Sequence, residues 1–187
     1  TPENMIEYTK WNHVALVKHS NVVKLYVNGL AIGSYNHSGQ VGYTAGNTTI
    51  CRIGGGGSNS LNCYIQDMRI YKGVAKYTDN FTCAAVDSSI IPDSPSGIAV
   101  PRKFKRSLSG SVGFDGSGDK ITANSTDFVF GTDDFTIEAT VFKTNTTYGG
   151  FSGAFIFGQT NNDAGGRNGV AFGYKDGGLW LLQGNGS

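Results

Sequence analysis

Carboxylates come first, because two of them held roughly 5 to 5.5 Å apart can cleave a glycosidic bond with retention. The chain has three glutamates, Glu3, Glu7 and Glu138. Glu138 stands alone in Phe135-Thr136-Ile137-Glu138-Ala139, with no carboxylate two or four residues on to share its strand face, so it reads as structural. Asp133 and Asp134 lead into that run as turn residues. His13 and His19 fall on one strand face, but six residues of strand hold them roughly 20 Å apart, too far to share an ion. His13 therefore reads as a structural residue beside the core. No serine has a G-x-S-x-G setting and no nucleophile is paired with a base. The expectation is a non-enzyme.

Binding chemistry is better represented. Asp115-Gly116-Ser117-Gly118-Asp119 reads as a β-turn, with an oxygen-rich Ca²⁺ loop as the competing reading; the twelve-residue calcium pattern is absent. Gly54-Gly55-Gly56-Gly57 lacks the Lys-Ser or Lys-Thr of a phosphate cradle and reads as a spacer. Tyr148, Phe151, Tyr174 and Trp180 could furnish an aromatic platform for sugar rings at a loop-lined rim, with Tyr148 and Trp180 the named ligand contacts, although strand aromatics are more often core. Arg102, Lys103, Lys105 and Arg106 read as a solvated basic linker that could also touch an acidic partner or offer a protease site. Cys51, Cys63 and Cys83 match no zinc spacing and cannot all pair within one chain. Free thiols are the first reading; if two pair, Cys51 and Cys63 are the candidates, on consecutive strand-like runs that could form a hairpin. Six Asn-x-Ser/Thr sequons, at Asn36, Asn47, Asn80, Asn124, Asn145 and Asn185, matter only in a secreted eukaryotic setting.

The elements that must position these groups are strands. Val14 and Leu16 alternate with Ala15 and Val17, and Val23, Leu25 and Val27 alternate with Lys24, Tyr26 and Asn28, a period of two. His19-Ser20-Asn21 supplies one turn, and Asn28-Gly29 a second, because both residues tolerate positive φ. Further strand-like runs cover 48–53, 61–71, 111–114, 135–141, 155–157, 170–172 and 179–182. Residues 84–109 differ, holding three of the four prolines and the basic cluster, and read as a linker. The division is residues 1–83, a linker at 84–109, and residues 110–187.

Composition agrees. Aromatics reach 12%, charged residues only 16%, and 28 of 187 residues are glycine, about twice the usual share. That mixture describes short strands joined by tight turns. A formal net charge of +1 offers no global field for nucleic acid or an anionic membrane. No apolar run approaches the roughly 18 to 20 residues needed for membrane insertion as a helix, and the opening TPENMIEYTK lacks the regions of a signal peptide. Thr1 in place of Met points to processing, excision from a longer polypeptide, or numbering that starts inside one.

Trp11-Asn12-His13-Val14-Ala15-Leu16-Val17, then Val23-Lys24-Leu25-Tyr26-Val27-Asn28-Gly29, resembles the W-x-H-V-A…L-Y-V-(D/N)-G signature of laminin-G-like domains. Ile53-Gly54-Gly55 and Cys63-Tyr64-Ile65-Gln66-Asp67-Met68-Arg69-Ile70-Tyr71-Lys72-Gly73-Val74-Ala75 resemble that family's closing strand. Its usual opening appears only afterwards, as Val112-Gly113-Phe114-Asp115-Gly116-Ser117-Gly118-Asp119-Lys120-Ile121 and Asp134-Phe135-Thr136-Ile137-Glu138. The halves stand in permuted order. Cys63 replaces the family's glycine, and Gln66 the first Asp of its acidic pair, which weakens a metal reading.

The resemblance implies an all-β, antiparallel jelly-roll β-sandwich of the concanavalin A-like type. Either it closes within one chain as a circular permutation, or each half completes a sandwich with a neighbouring copy. Closure is favoured, because a tether holds the matching half at about millimolar effective concentration. The same resemblance, with the Lys72-Gly73-Val74-Ala75-Lys76-Tyr77 ending, implies a bacteriophage virion component such as a tail-fibre or capsid-decoration protein. Its expected partners are other virion or surface proteins, further copies of itself, and glycans; its place is the virion or extracellular surface, and it needs no cofactor. A bacterial surface adhesin repeat and the carbohydrate-binding accessory of a polysaccharide-active enzyme remain the alternatives.

Overall fold

Asn28 and Gly29 both adopt positive φ, 49° and 81°, closing the tight turn their types favour. The hairpin joins β2 (Val22–Val27) to β3 (Leu30–Asn36), and β1 (Trp11–His19) pairs antiparallel with β2 from Val14↔Val27 to His19↔Val22. The remaining strands are β4 (Thr48–Ile53), β5 (Asn59–Lys72), β6 (Val112–Ser117), β7 (Ile121–Ala123), β8 (Phe135–Lys143), β9 (Ala154–Gln159), β10 (Val170–Lys175) and β11 (Gly178–Gln183). This computed structural model describes residues 6–41, 48–53, 59–83, 110–123, 125–144, 154–159, 170–175 and 178–183.

Two sheets face each other, a six-stranded one in the order β3-β2-β1-β8-β5-β6 and a five-stranded one in the order β11-β10-β9-β4-β7. Every pairing is antiparallel, and the fold is a concanavalin A-like β-sandwich. Strands from either side of residues 84–109 interleave in both sheets. β8 lies between β1 and β5, with Trp11↔Phe142 on one side and Tyr64↔Phe142 on the other. β4 lies between β9 and β7. Neither set of strands has a complete sheet without the other. Residues 84–109 themselves, with the basic cluster, lie outside the described residues.

The core lies between the sheets. Val14, Leu16, Leu25, Val27, Ile137, Ala139 and Val141 of the larger sheet meet Ile156, Phe157, Val170, Phe172 and Leu179 of the smaller. Phe130, also buried in this core, stacks on Phe135 at 4.6 Å.

One expectation is corrected. Cys51 and Cys63 do not lie on two strands of a hairpin, because β4 belongs to the five-stranded sheet and β5 to the six-stranded one. Each strand finds its neighbours among strands that come later in the chain, β9 and β7 for β4, β8 and β6 for β5. The glycine-rich run therefore joins opposed sheets. Cys63 points into the core, while the Cys51 side chain lies outside the described residues.

Candidate functional site

β1 is buried on both faces over 12–18, so something other than the opposing sheet must cover its outer side. The cover is residues 73–83, which leave β5 and cross the outer face of the larger sheet. Ala75, Tyr77 and Phe81 pack on Ala15, Val17 and Tyr26, with the Tyr77 and Phe81 rings stacked at 3.6 Å. Backbone bonds pin this strap at its ends: Gly73 N–H donates to Asp134 O at 2.7 Å and Phe81 N–H to Gly29 O at 2.9 Å. Asn80 Oδ1 accepts from the Ala31 amide, and Lys24 Nζ donates to Thr78 O.

Beneath the strap sits Glu138, its side chain 0% exposed. Lys76 Nζ donates to Oε1 at 2.5 Å and Tyr77 OH donates to Oε2 at 2.7 Å. His13 Nε2 stands 3.3 Å from Oε2, within ion-pair distance but out of line for a hydrogen bond. Burial pushes the Glu138 carboxyl upward, yet His13, Lys76 and Tyr77 outweigh it and hold the group at about 2. Tyr77 moves the other way, because burial and the adjacent carboxylate both disfavour a phenolate. Next to them, Thr136 Oγ1 donates to Val74 O and accepts from the Lys76 amide. The cluster is a carboxylate held ionised well below its ordinary range, sealed under the strap beside the Lys76 ammonium. It holds the strap down, and its carboxyl faces the strap rather than solvent.

The other acidic groups are engaged locally. Asp67, in a positive-φ kink of β5 (50°), pairs with Arg69 Nε at 2.7 Å. Asp134 accepts from His19 and from the Ser20 amide, which hold its carboxyl below the ordinary range against the effect of burial. In the Asp115–Asp119 loop the exposed side chains cap the loop's own backbone: Asp115 Oδ1 accepts from Ser117 N–H at 2.6 Å and Asp119 Oδ2 from Asp115 N–H at 2.9 Å. Gly116 and Gly118 take φ of 84° and 86°, the geometry of a turn. Among the described residues, no three His, Cys, Asp or Glu side chains are grouped to hold a metal.

Of the aromatics weighed as a rim platform against core, Tyr174 belongs to the core. Its side chain is buried, with Lys143 Nζ 4.9 Å from its ring centroid, because β10 turns that position toward the core. Tyr148 and Phe151 lie outside the described residues, as do Arg102, Lys103, Lys105 and Arg106; Trp180 is on β11 with its side chain undescribed. Lys143, which the sequence reading passed over, ends β8 inside the sandwich between the rings of Tyr8 and Tyr174. Burial lowers it to about 8, partly offset by Cys63.

A second feature that sequence reasoning missed lies beyond the strap on the same outer face. Trp11, Phe142 and Tyr64 are direct cross-strand neighbours on β1, β8 and β5. Their ring centroids are 5.5 and 6.2 Å apart, at 61° and 64°. No period marks such a row, because its members come from three distant segments. Knowing that β8 inserts between β1 and β5 would have revealed it.

Residues 1–78 match the family model Laminin_G_3, described as the concanavalin A-like lectin/glucanases superfamily. No curated protein and no solved structure matches the chain.

Proposed function

We propose that this chain, laminin-G-like over residues 1–78, is a non-catalytic contact module. A domain of that superfamily suggests carbohydrate binding or adhesion. The observation that carries the non-catalytic part is the state of Glu138: ionised, fully buried and saturated by Lys76 and Tyr77. A retaining glycosidase needs an accessible pair of carboxyls, one of them protonated.

The finer reading is a bacteriophage virion component, a tail-fibre or capsid-decoration protein on the particle surface, contacting glycans, other virion proteins and further copies of itself. The motif ending Lys72-Gly73-Val74-Ala75-Lys76-Tyr77 and the Gly-, Asn- and Thr-rich composition support it. Within it, residues 1–83 and 110–187 are the permuted halves of one sandwich joined by 84–109; the support is the interleaving of β8 between β1 and β5. The reading calls for no cofactor.

Mass spectrometry of purified virions encoded with this chain tests the setting, the expected result being its presence at structural-protein abundance. Absence from the particle overturns the virion reading. Incubation with laminarin tests the chemistry, and release of reducing sugar overturns the non-catalytic one.

A further inference from the structure

The outer face of the six-stranded sheet is divided. The strap at 73–83 covers the half around Ala15, Val17 and Tyr26 and reaches as far as His13, whose ring meets Phe81 at 5.5 Å. Past His13 the described residues place no cover, and there Trp11, Phe142 and Tyr64 follow one another across three strands. Tyr64 is 45% exposed. The row continues onto β6 at Gly113, opposite Tyr64. A Cβ at Gly113 would lie 2.9 Å from Tyr64 Cε1 and 3.2 Å from Cδ1. The phenol ring therefore leans across the edge strand into the space a side chain would fill, instead of standing upright from the sheet.

Polar groups flank this row on both sides. Two residues along, on the same face by register, lie Thr144, Asn62 and Asp115; Thr144 Oγ1 donates to Asn62 Oδ1 and to Asn62 O. On the other side lie Thr140 and Gln66, opposite each other. Hydroxyls, amides and one carboxylate thus border an apolar strip. No lysine or arginine stands at these flanking positions, and the nearby Lys10 is paired with Glu7.

We infer that the Trp11–Phe142–Tyr64 row is a stacking surface for a neutral oligosaccharide. A pyranose has the matching chemistry: an apolar face of C–H bonds that lies on an aromatic ring, and a rim of hydroxyls that both donate and accept. Trp11 and Tyr64 are two strand spacings apart, roughly 10 Å, room for two linked sugar rings. Asp115 accepts hydroxyl hydrogen bonds but repels an acidic sugar. Gly113 acts through Tyr64, as a positioning residue whose missing side chain lets the ring lie down. The inference rests on the carbohydrate-binding reading and adds the site and the charge class of its ligand.

Affinity electrophoresis of the full chain through gels containing hydroxyethylcellulose, laminarin or galactomannan, with alginate as the anionic control, tests it. Retardation by at least one neutral polymer is expected, unchanged in Tyr64→Phe. Tyr64→Ala should weaken binding at least about ten-fold, as truncation of an aromatic anchor does. Gly113→Val, which displaces the ring without removing it, should also weaken binding while leaving the unfolding midpoint in place, so the test survives if Tyr64→Ala is poorly folded. Retention of Tyr64→Ala and Gly113→Val at wild-type strength would sink the site and leave carbohydrate binding standing. No retardation of the wild type by any neutral polymer, or selective retardation by alginate, overturns the inference itself, and binding of a protein partner in its place reassigns the row.

Discussion

Replacing Glu138 by glutamine keeps the shape of the strap anchor and removes its charge. Lys76, whose side chain is 4% exposed, is then left as a buried ammonium facing a neutral amide, and Tyr77 donates to a weaker acceptor. Two routes give the magnitude. Removing one partner of a buried ion pair costs about 3–5 kcal/mol. Independently, the carboxyl falls from 4.5 to about 2 on folding, which at 1.36 kcal/mol for each pH unit is about 3 kcal/mol of stability.

Because the folded value is the lower one, the unfolded chain binds more protons between those limits. This contribution is complete above about pH 4.5 and disappears as the pH falls toward 2. Urea unfolding followed by tryptophan fluorescence should show Glu138→Gln destabilised by about 3 kcal/mol at pH 7, with the loss shrinking toward pH 2. Adding Lys76→Met should recover part of the loss by removing the stranded charge. A cost below about 1 kcal/mol at pH 7, the size of a surface pair, or an unchanged acid limb in Glu138→Gln would refute the claim that this ion pair holds the strap.

The close approach of β10 to β9 makes Gly173→Ala severe: its Cβ would sit 2.0 Å from Ala154 O at a register shift between the strands, and every atom it meets is β9 backbone, with nothing soft to yield. A loss of about 3 kcal/mol or more is expected in the same unfolding assay, and a near-neutral result would mean that the strands separate there. Gly29→Ala should behave similarly, since its Cβ would meet Phe81 O at 1.8 Å with φ at 81°, freeing the strap end to faster proteolysis; unchanged protease resistance would count against that contact. Lys143, lowered on folding to about 8 from 10.5, makes the folded state bind fewer protons in that interval. Stability should therefore rise from pH 8 toward 10, a slope that Lys143→Met abolishes; a flat profile in the wild type would remove the argument. Finally, trypsin cleavage at Arg102, Lys103, Lys105 or Arg106 should leave two fragments that co-elute on native size exclusion, because β8 is held by β1 and β5 on both edges. Separation of the fragments without denaturant would contradict that interleaving.

Local chemistry was legible where it is short-ranged. The Asn28-Gly29 turn, the alternation in β1 and β2 and the backbone-capping aspartates of the Asp115–Asp119 loop depend on residues within a few positions of one another, so types and spacing suffice. The isolation of Glu138 from other acids on its strand could be seen the same way. Its partners could not, since Lys76 and Tyr77 come from the strap and His13 from β1, both distant from β8 in the chain. Tyr174 was left open between core and rim for a related reason: a strand aromatic belongs to core or surface according to which face the sheet offers, and the register of β10 decides that.

Sequence alone determined the strand content, the turn positions and the laminin-G-like motifs, because backbone preference and a two-residue period act locally. Only the tertiary structure decided that β4 and β5 separate into opposed sheets, that β8 enters between β1 and β5, and that Trp11, Phe142 and Tyr64 become neighbours. Those are choices of partner among strands with similar patterns, made by the burial of a shared core and the closing of a strap over an ionised carboxylate.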